Sequence, residues 1–222
     1  MVIRGGRVID PSGDRVADVL VRGGRVVEVG PDAATGAENA EVLDADGCIV
    51  TPGLVDLHVH LREPGMEEAE TIETGTNAAA LGGFSAVVAM PNTTPALDDP
   101  AIVSSILAAG QRAACEVVSS GCITEGREGE ALAPMGELHS LGVRIFTDDG
   151  ACVADASVMR HALEYSLALP GAVIAQHAED PALAGTGAMH EGEWSSRLGI
   201  PGRPSAAEDV MGARDVILAE LT

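Results

Sequence analysis

Three short runs in this 222-residue chain hold residue types that bind metal ions. The first is Asp56-Leu57-His58-Val59-His60. Two histidines two apart on a β-strand project from the same face. Both imidazoles can then reach one ion, and zinc accepts imidazole nitrogen readily. Asp56 shares that face and is placed to steady the strand end. The second run is Phe146-Thr147-Asp148-Asp149-Gly150. Adjacent carboxylates repel each other unless a cation is near, although Asp-Asp-Gly is also ordinary turn chemistry. The third is Ala175-Gln176-His177-Ala178-Glu179, where His177 follows an apolar stretch. Each run alone has an everyday reading as a strand end or a solvated turn. Together they offer three imidazoles and a carboxylate, enough for one metal ion or two. Two ions sharing a water molecule supply a nucleophile at neutral pH.

Two further residues suit a small anionic ligand. Arg62 follows the first run, and its rigid fork fits a carboxylate bidentately. Glu63 is placed to pair with it, and Pro64-Gly65 reads as a simple turn. Asn92, in Met90-Pro91-Asn92-Thr93-Thr94-Pro95, offers both an amide donor and an acceptor. His139, His161 and His190 fall in helical or loop segments and read as surface or packing residues.

The elements that must position these groups alternate. Residues 1–52 read as a small β-sheet module. It holds Met1–Ile9, then Val16–Val21 and Arg25–Val29 about a Gly23-Gly24 hairpin. A polar loop around Asp32–Asn39 leads to Val42–Leu43 and Cys48–Val50, which flank a turn. From residue 53 to 222, short apolar strands alternate with Ala-rich helices. Strands are expected at Leu54–His60, Ala86–Met90, Glu116–Ser120, Val143–Phe146 and Ala172–Gln176. Helices are expected at Thr71–Leu81, Pro100–Ala114, 130–141, Ser157–Ala168 and Ser205–Leu221. Ser205 with Glu208 has the form of a capping box. Gly185–Trp194 reads as a loop over the mouth of the site. Such alternation means an α/β fold with a parallel sheet. The polar residues fall at the C-terminal ends of strands, where (β/α)8 TIM-type barrels place their chemistry. About five β/α units are present, so the barrel is expected to be incomplete.

Composition narrows the function. A formal net charge of −21 is wrong for a nucleic-acid partner. There is no apolar run for a membrane span, and the opening Met1–Asp10 lacks a signal-peptide core. The four cysteines are scattered, which fits a reducing cytoplasm rather than a disulfide framework or zinc finger. All 13 basic residues are arginine. The chain therefore holds no lysine for a Schiff base, a P-loop or a metal-bridging carbamate.

The run Asp56-Leu-His-Val-His-Leu-Arg-Glu-Pro-Gly65 resembles the signature of the bacterial type I dihydroorotases of the amidohydrolase superfamily. Met90–Thr93, Phe146–Gly150, His177–Asp180 and Ser205–Glu220 resemble the same family, so the likeness covers essentially the whole chain. It implies a zinc enzyme, expected to hold two ions, that interconverts dihydroorotate and N-carbamoyl-aspartate in pyrimidine synthesis. It implies metal ligands at His58, His60 and His177. A carboxylate takes the place that a carboxylated lysine fills in many relatives. Asp149 is chosen by analogy, with Asp148 kept open. His60, Arg62 and Asn92 are the implied substrate contacts. A further metal histidine and the proton-shuttling aspartate are expected beyond Thr222, so these residues alone are expected to be inactive. Residues 1–52 are expected to be completed by C-terminal strands. Aspartate transcarbamoylase is the one protein partner the resemblance implies. Two other readings remain: a hydantoinase, dihydropyrimidinase or allantoinase, and an inactive scaffold for aspartate transcarbamoylase.

Overall fold

The computed structural model describes residues 1–222 except 36 and 38. The polar loop expected around Asp32–Asn39 includes those two, which lie outside the described residues. The chain divides into two compact units, Met1–Leu54 and Val55–Thr222.

The first unit is a five-stranded sheet. It holds β1 (Val2–Asp10), β2 (Gly13–Arg22), β3 (Arg25–Gly30), β4 (Val42–Asp44) and β5 (Ile49–Val50). β1 is central, antiparallel to β2 and parallel to β4 and β5. β3 joins β2 through the Gly23-Gly24 turn, where both glycines take positive φ. Such a two-residue turn matches the twist of the strands it joins.

The second unit alternates strand and helix. Its first strands are β6 (Leu54–Val59), then β7 (Phe84–Ala89) after helix α1 (Ile72–Leu81), and β8 (Glu116–Ser119) after α2 (Pro100–Gly110). Helix α3 (Met135–Ser140) precedes β9 (Ile145–Phe146), and α4 (Ala156–Ser166) precedes β10 (Val173–Ile174). β6, β7 and β8 pair in chain order, as do β9 and β10. A parallel bridge between Gly121 and Phe146 joins the two groups. A doubly wound sheet reverses its strand order at a switch point; here the order never reverses.

The core contains one aromatic ring, Phe146. Around it pack Val87, Leu97, Ile106, Ile123, Met135, Leu138 and Met159, all buried. Phe146 is fully buried and directly precedes Thr147-Asp148-Asp149, so packing fixes the strand end that carries the carboxylates.

Several boundaries differ from expectation for local reasons. The helix expected at 130–141 begins only at Met135, because Pro134 bars Ala133 from the helical region. The capping box at Ser205 does not form. Ser205 is itself helical, and its side chain makes no cap bond to α7 (Ala206–Leu221). Gly185–Trp194 is not a plain loop. Between α5 (Pro181–Ala184) and α6 (Glu193–Leu198) runs β11 (Met189–His190), which pairs with β12 (Gly202–Arg203). Two-residue strands are too short to show a period.

Candidate metal centre

Asp149 is the focus. Its Oδ1 lies 3.2 Å from His58 Nε2 and 3.7 Å from His177 Nδ1, and its Oδ2 lies 3.6 Å from His60 Nε2. Residues as much as 119 apart in sequence meet here because each stands at or just past the end of a neighbouring strand. His58, in β6, and His60, just past it, stand with ring centroids 5.1 Å apart and nearly perpendicular. One donor atom from each of His58, His60 and Asp149 fits within 4.8 Å of the others.

The spacing suits a metal ion better than direct hydrogen bonds. Charge-assisted hydrogen bonds of nitrogen to carboxylate run about 2.7–2.9 Å. Two donors on one tetrahedral zinc, each about 2.0–2.1 Å away, stand roughly 3.3 Å apart. The observed 3.2–3.7 Å falls around that second value. The donor set, imidazole nitrogen and carboxylate oxygen, is one zinc accepts.

Neighbouring groups orient the ligands. His60 Nδ1 lies 2.9 Å from Asn92 Oδ1. With Nδ1–H donated to that oxygen, Nε2 keeps its lone pair toward Asp149. The His58 backbone N–H donates to Asp56 Oδ1, steadying the strand end. Gln176, beside His177, holds the loop after Asp149. Its Oε1 accepts from Val153 N at 3.2 Å, and its Nε2 donates to Val153 O at 3.3 Å. Arg214 on α7 donates to Val153 O and Ala154 O from another side.

The adjacent carboxylates do different work. Asp148 is fully buried and turned away from the histidines. Its Oδ1 accepts from Ile123 N at 2.7 Å and Thr124 N at 3.0 Å, and Thr124 Oγ1 donates to its Oδ2. Burial pushes the Asp148 carboxyl above the ordinary range, while those hydrogen bonds and the Arg127 charge pull it down. Asp148 therefore anchors the loop after β8, and Asp149 alone of the pair faces the imidazoles.

Arg62 takes a positive φ of 61° and is half-buried, and among the described residues no hydrogen bond or ion pair engages its guanidinium. The expected pairing of Glu63 with Arg62 does not occur. Glu63 Oε2 instead accepts from Ile72 N at 2.8 Å, at the start of α1, where a carboxylate also meets the helix dipole. Gly65 is more than a turn. Its φ is 99°, and a Cβ there would stand 2.2 Å from Thr94 O. Thr94 N donates to Pro64 O at 3.0 Å, so the loops carrying Arg62 and Asn92 run in close contact.

The other histidines stand apart, His139 against Pro170 O, His161 on α4 and His190 on β11. A cavity of about 280 Å³ opens on the centre, lined by His58, Thr147, Asp149, His177 and Glu208 among others. A larger one, about 820 Å³, lies between Leu107 and Val143 and has no histidine in its wall. Sequence reasoning missed Gln176, Arg127 and the turning of Glu208 toward the cavity. Gln176 carried one available signal, its place directly before His177. Among the described residues, no helix is long and apolar enough to cross a membrane.

Comparison with known proteins places the chain in one family. The model of the dihydro-orotase-like family matches residues 47–222. The chain is 48% identical over 224 residues to a dihydroorotase of Pelotomaculum thermopropionicum, covering 100% of this chain and 52% of the relative. It is 50% identical over 225 residues to that of Geobacter sulfurreducens, with 100% and 52% covered. The chain thus spans about half the length of the curated relatives it matches. Among solved structures, an L-hydantoinase (dihydropyrimidinase) from Arthrobacter aurescens superposes with TM-score 0.77 at 20% identity. That match covers 99% of this chain and 50% of the other, and it speaks for the fold alone. A D-hydantoinase from Bacillus sp. AR9 superposes with TM-score 0.73 at 27% identity, covering 99% and 49%.

Proposed function

The chain belongs to the dihydro-orotase-like family, and on that premise we propose that it is the N-terminal part of a zinc-dependent dihydroorotase. The reaction would be the reversible hydrolysis of dihydroorotate to N-carbamoyl-aspartate. One observation carries the reading: three imidazoles converge on Asp149, and Arg62, two residues after His60, has no hydrogen bond or ion pair to its guanidinium among the described residues. Metal-holding groups are thus followed directly in the chain by a fork suited to a carboxylate.

In this reading His58, His60, His177 and Asp149 would hold the zinc, expected from the resemblance as two ions. Bound zinc would polarise the ring amide carbonyl and lower the pKa of water. Arg62 binds the ring carboxylate, and His60 and Asn92 complete the substrate contacts. Asn92 also keeps His60 in the tautomer that presents Nε2. Water oxygen adds to the amide carbon, the C–N bond breaks, and the leaving nitrogen takes a proton. The resemblance assigns that proton to an aspartate not among the present residues.

The same reading makes residues 53–222 the first part of an eight-stranded (β/α)8 barrel. It makes residues 1–52 part of a small β domain completed from the rest of the gene product. The unreversed strand order supports the barrel. Exposed Val55 and Leu57 on β6, and Val216 and Ile217 on α7, are faces the remaining units would cover. Four free cysteines suit a cytoplasmic location. Aspartate transcarbamoylase as a partner rests on resemblance alone.

The alternative is a hydantoinase-type hydrolase, favoured by the likeness to a D-hydantoinase structure at 27% identity. Against it stand the absence of lysine and the free Arg62, because hydantoin and allantoin carry no ring carboxylate. The test is turnover of dihydroorotate, hydantoin and allantoin by the complete gene product after zinc reconstitution. Strong preference for dihydroorotate is expected. Preference for hydantoin would overturn the substrate, and absence of both zinc and turnover would favour an inactive scaffold.

A further inference from the structure

Asp149 must direct its two carboxylate oxygens toward different histidines, yet among the described residues no hydrogen bond holds that carboxylate. With only two side-chain torsions between backbone and oxygens, the orientation of its peptide sets where they point. One side chain grips that peptide: Arg127 Nη1 donates to Asp149 O at 2.6 Å. Arg127 stands in the loop after β8, which Asp148 anchors through Ile123 and Thr124.

Three observations show that this grip is specific. First, Arg127 has φ 60°, a backbone conformation L residues rarely take. Among the described residues, only Arg62 and Arg127 do so without being glycine. Strain of this kind persists where the surroundings over-determine it and gathers at functional sites. Second, Arg127 Nε is buried with no hydrogen-bond partner. The side chain is held in place at the expense of one of its own donors. Third, the guanidinium meets the far side of the same turn. A Cβ on Gly150 would lie 3.6 Å from Arg127 Nη1 and 3.7 Å from Asn92 Nδ2. The Asn92 amide that orients His60 and the Arg127 fork therefore both lie beside Gly150.

We propose that Arg127 is a positioning residue that sets the direction of the Asp149 carboxylate through its main-chain carbonyl. It touches neither substrate nor metal. Its role rests on the metal-centre reading above, and the test separates the two.

The experiment uses the complete gene product carrying Arg127→Met or Arg127→Lys, with His58→Ala as control. Zinc dissociation constants are measured by chelator competition. The visible absorption of the cobalt(II)-substituted protein reports ligand geometry, and thermal unfolding of the metal-free protein reports folding. In Arg127→Met, zinc binding should weaken about tenfold, the size typical of groups that orient metal ligands. The cobalt spectrum should change and the metal-free unfolding temperature should hold. Arg127→Lys should recover part of the affinity, since an ammonium can reach the carbonyl. Unchanged affinity and spectrum in Arg127→Met, with zinc lost in His58→Ala, would overturn the role of Arg127 and leave the metal centre standing. Zinc retained in both variants would overturn both. Metal-free unfolding in Arg127→Met that lysine does not rescue would make Arg127 a folding residue and overturn the positioning role.

Discussion

Adjacent Asp148 and Asp149 should fail in opposite ways. Asp148→Ala removes the acceptor for two buried backbone N–H groups, those of Ile123 and Thr124. Each orphaned buried donor costs about 1–3 kcal/mol. The Thr124 hydroxyl can turn to another acceptor, so it adds little. Against this, the substitution relieves a carboxylate whose burial is itself unfavourable. The expected net loss is about 3 kcal/mol. Asp148→Asn keeps one oxygen for the two N–H groups and turns its amide toward Thr124 Oγ1. That hydroxyl already accepts from Gly129 N but has a second lone pair. Its expected cost is about 1 kcal/mol. Asp149→Asn removes a carboxylate with no protein hydrogen bond, so metal-free stability should change by less than about 1 kcal/mol while zinc is lost. Denaturant unfolding of the complete, chelator-treated gene product gives the stabilities, and elemental analysis of the reconstituted protein gives the zinc. Asp148→Ala within about 1 kcal/mol of the unsubstituted protein, together with zinc retained in Asp149→Asn, would refute this division of labour.

Arg62→Met should raise KM for dihydroorotate roughly 10–100-fold, the worth of a charge-assisted bidentate contact, with kcat less affected. Steady-state kinetics would show an unchanged KM if Arg62 serves elsewhere. Gly65→Ala places a Cβ 2.2 Å from Thr94 O at a φ of 99°, so the two loops must part. It should destabilise by more than about 1 kcal/mol and weaken substrate binding, read from unfolding midpoints and KM. Asp155 caps α4, and its bonds from Val158 N and then Ser157 N hold its carboxyl below the ordinary range. A depressed carboxyl stabilises above its unfolded-state pKa, and that stabilisation fades as pH falls through the folded value. Asp155→Asn should keep the cap and flatten the loss of stability between about pH 5 and 3. An identical pH profile would remove Asp155 as a contributor.

What was legible in the sequence is what periodicity and strand ends encode. The alternation of strand and helix follows from apolar runs and their lengths. His58 and His60 could be put on one face because a strand has a period of two. Bringing His177 and the Asp148/Asp149 pair to them needed only the rule that chemistry gathers at strand ends. The choice between Asp148 and Asp149 was not legible. Neighbours on an irregular turn have no fixed period, and the donors that claim Asp148 come from Ile123 and Thr124, over 20 residues away. Glu63 and Glu208 were misread for a related reason. Each was assigned to the nearest partner in sequence, Arg62 and Ser205. Glu63 in fact caps α1 nine residues on, and Glu208 faces the cavity. Arg127 carried no local signal, because its importance lies in a carbonyl 22 residues distant. Residue types and spacing thus reveal the groups that could touch a metal. Apart from Asn92, the groups that aim them act through backbone N–H and C=O, which every residue has, and only the folded chain shows which ones are held.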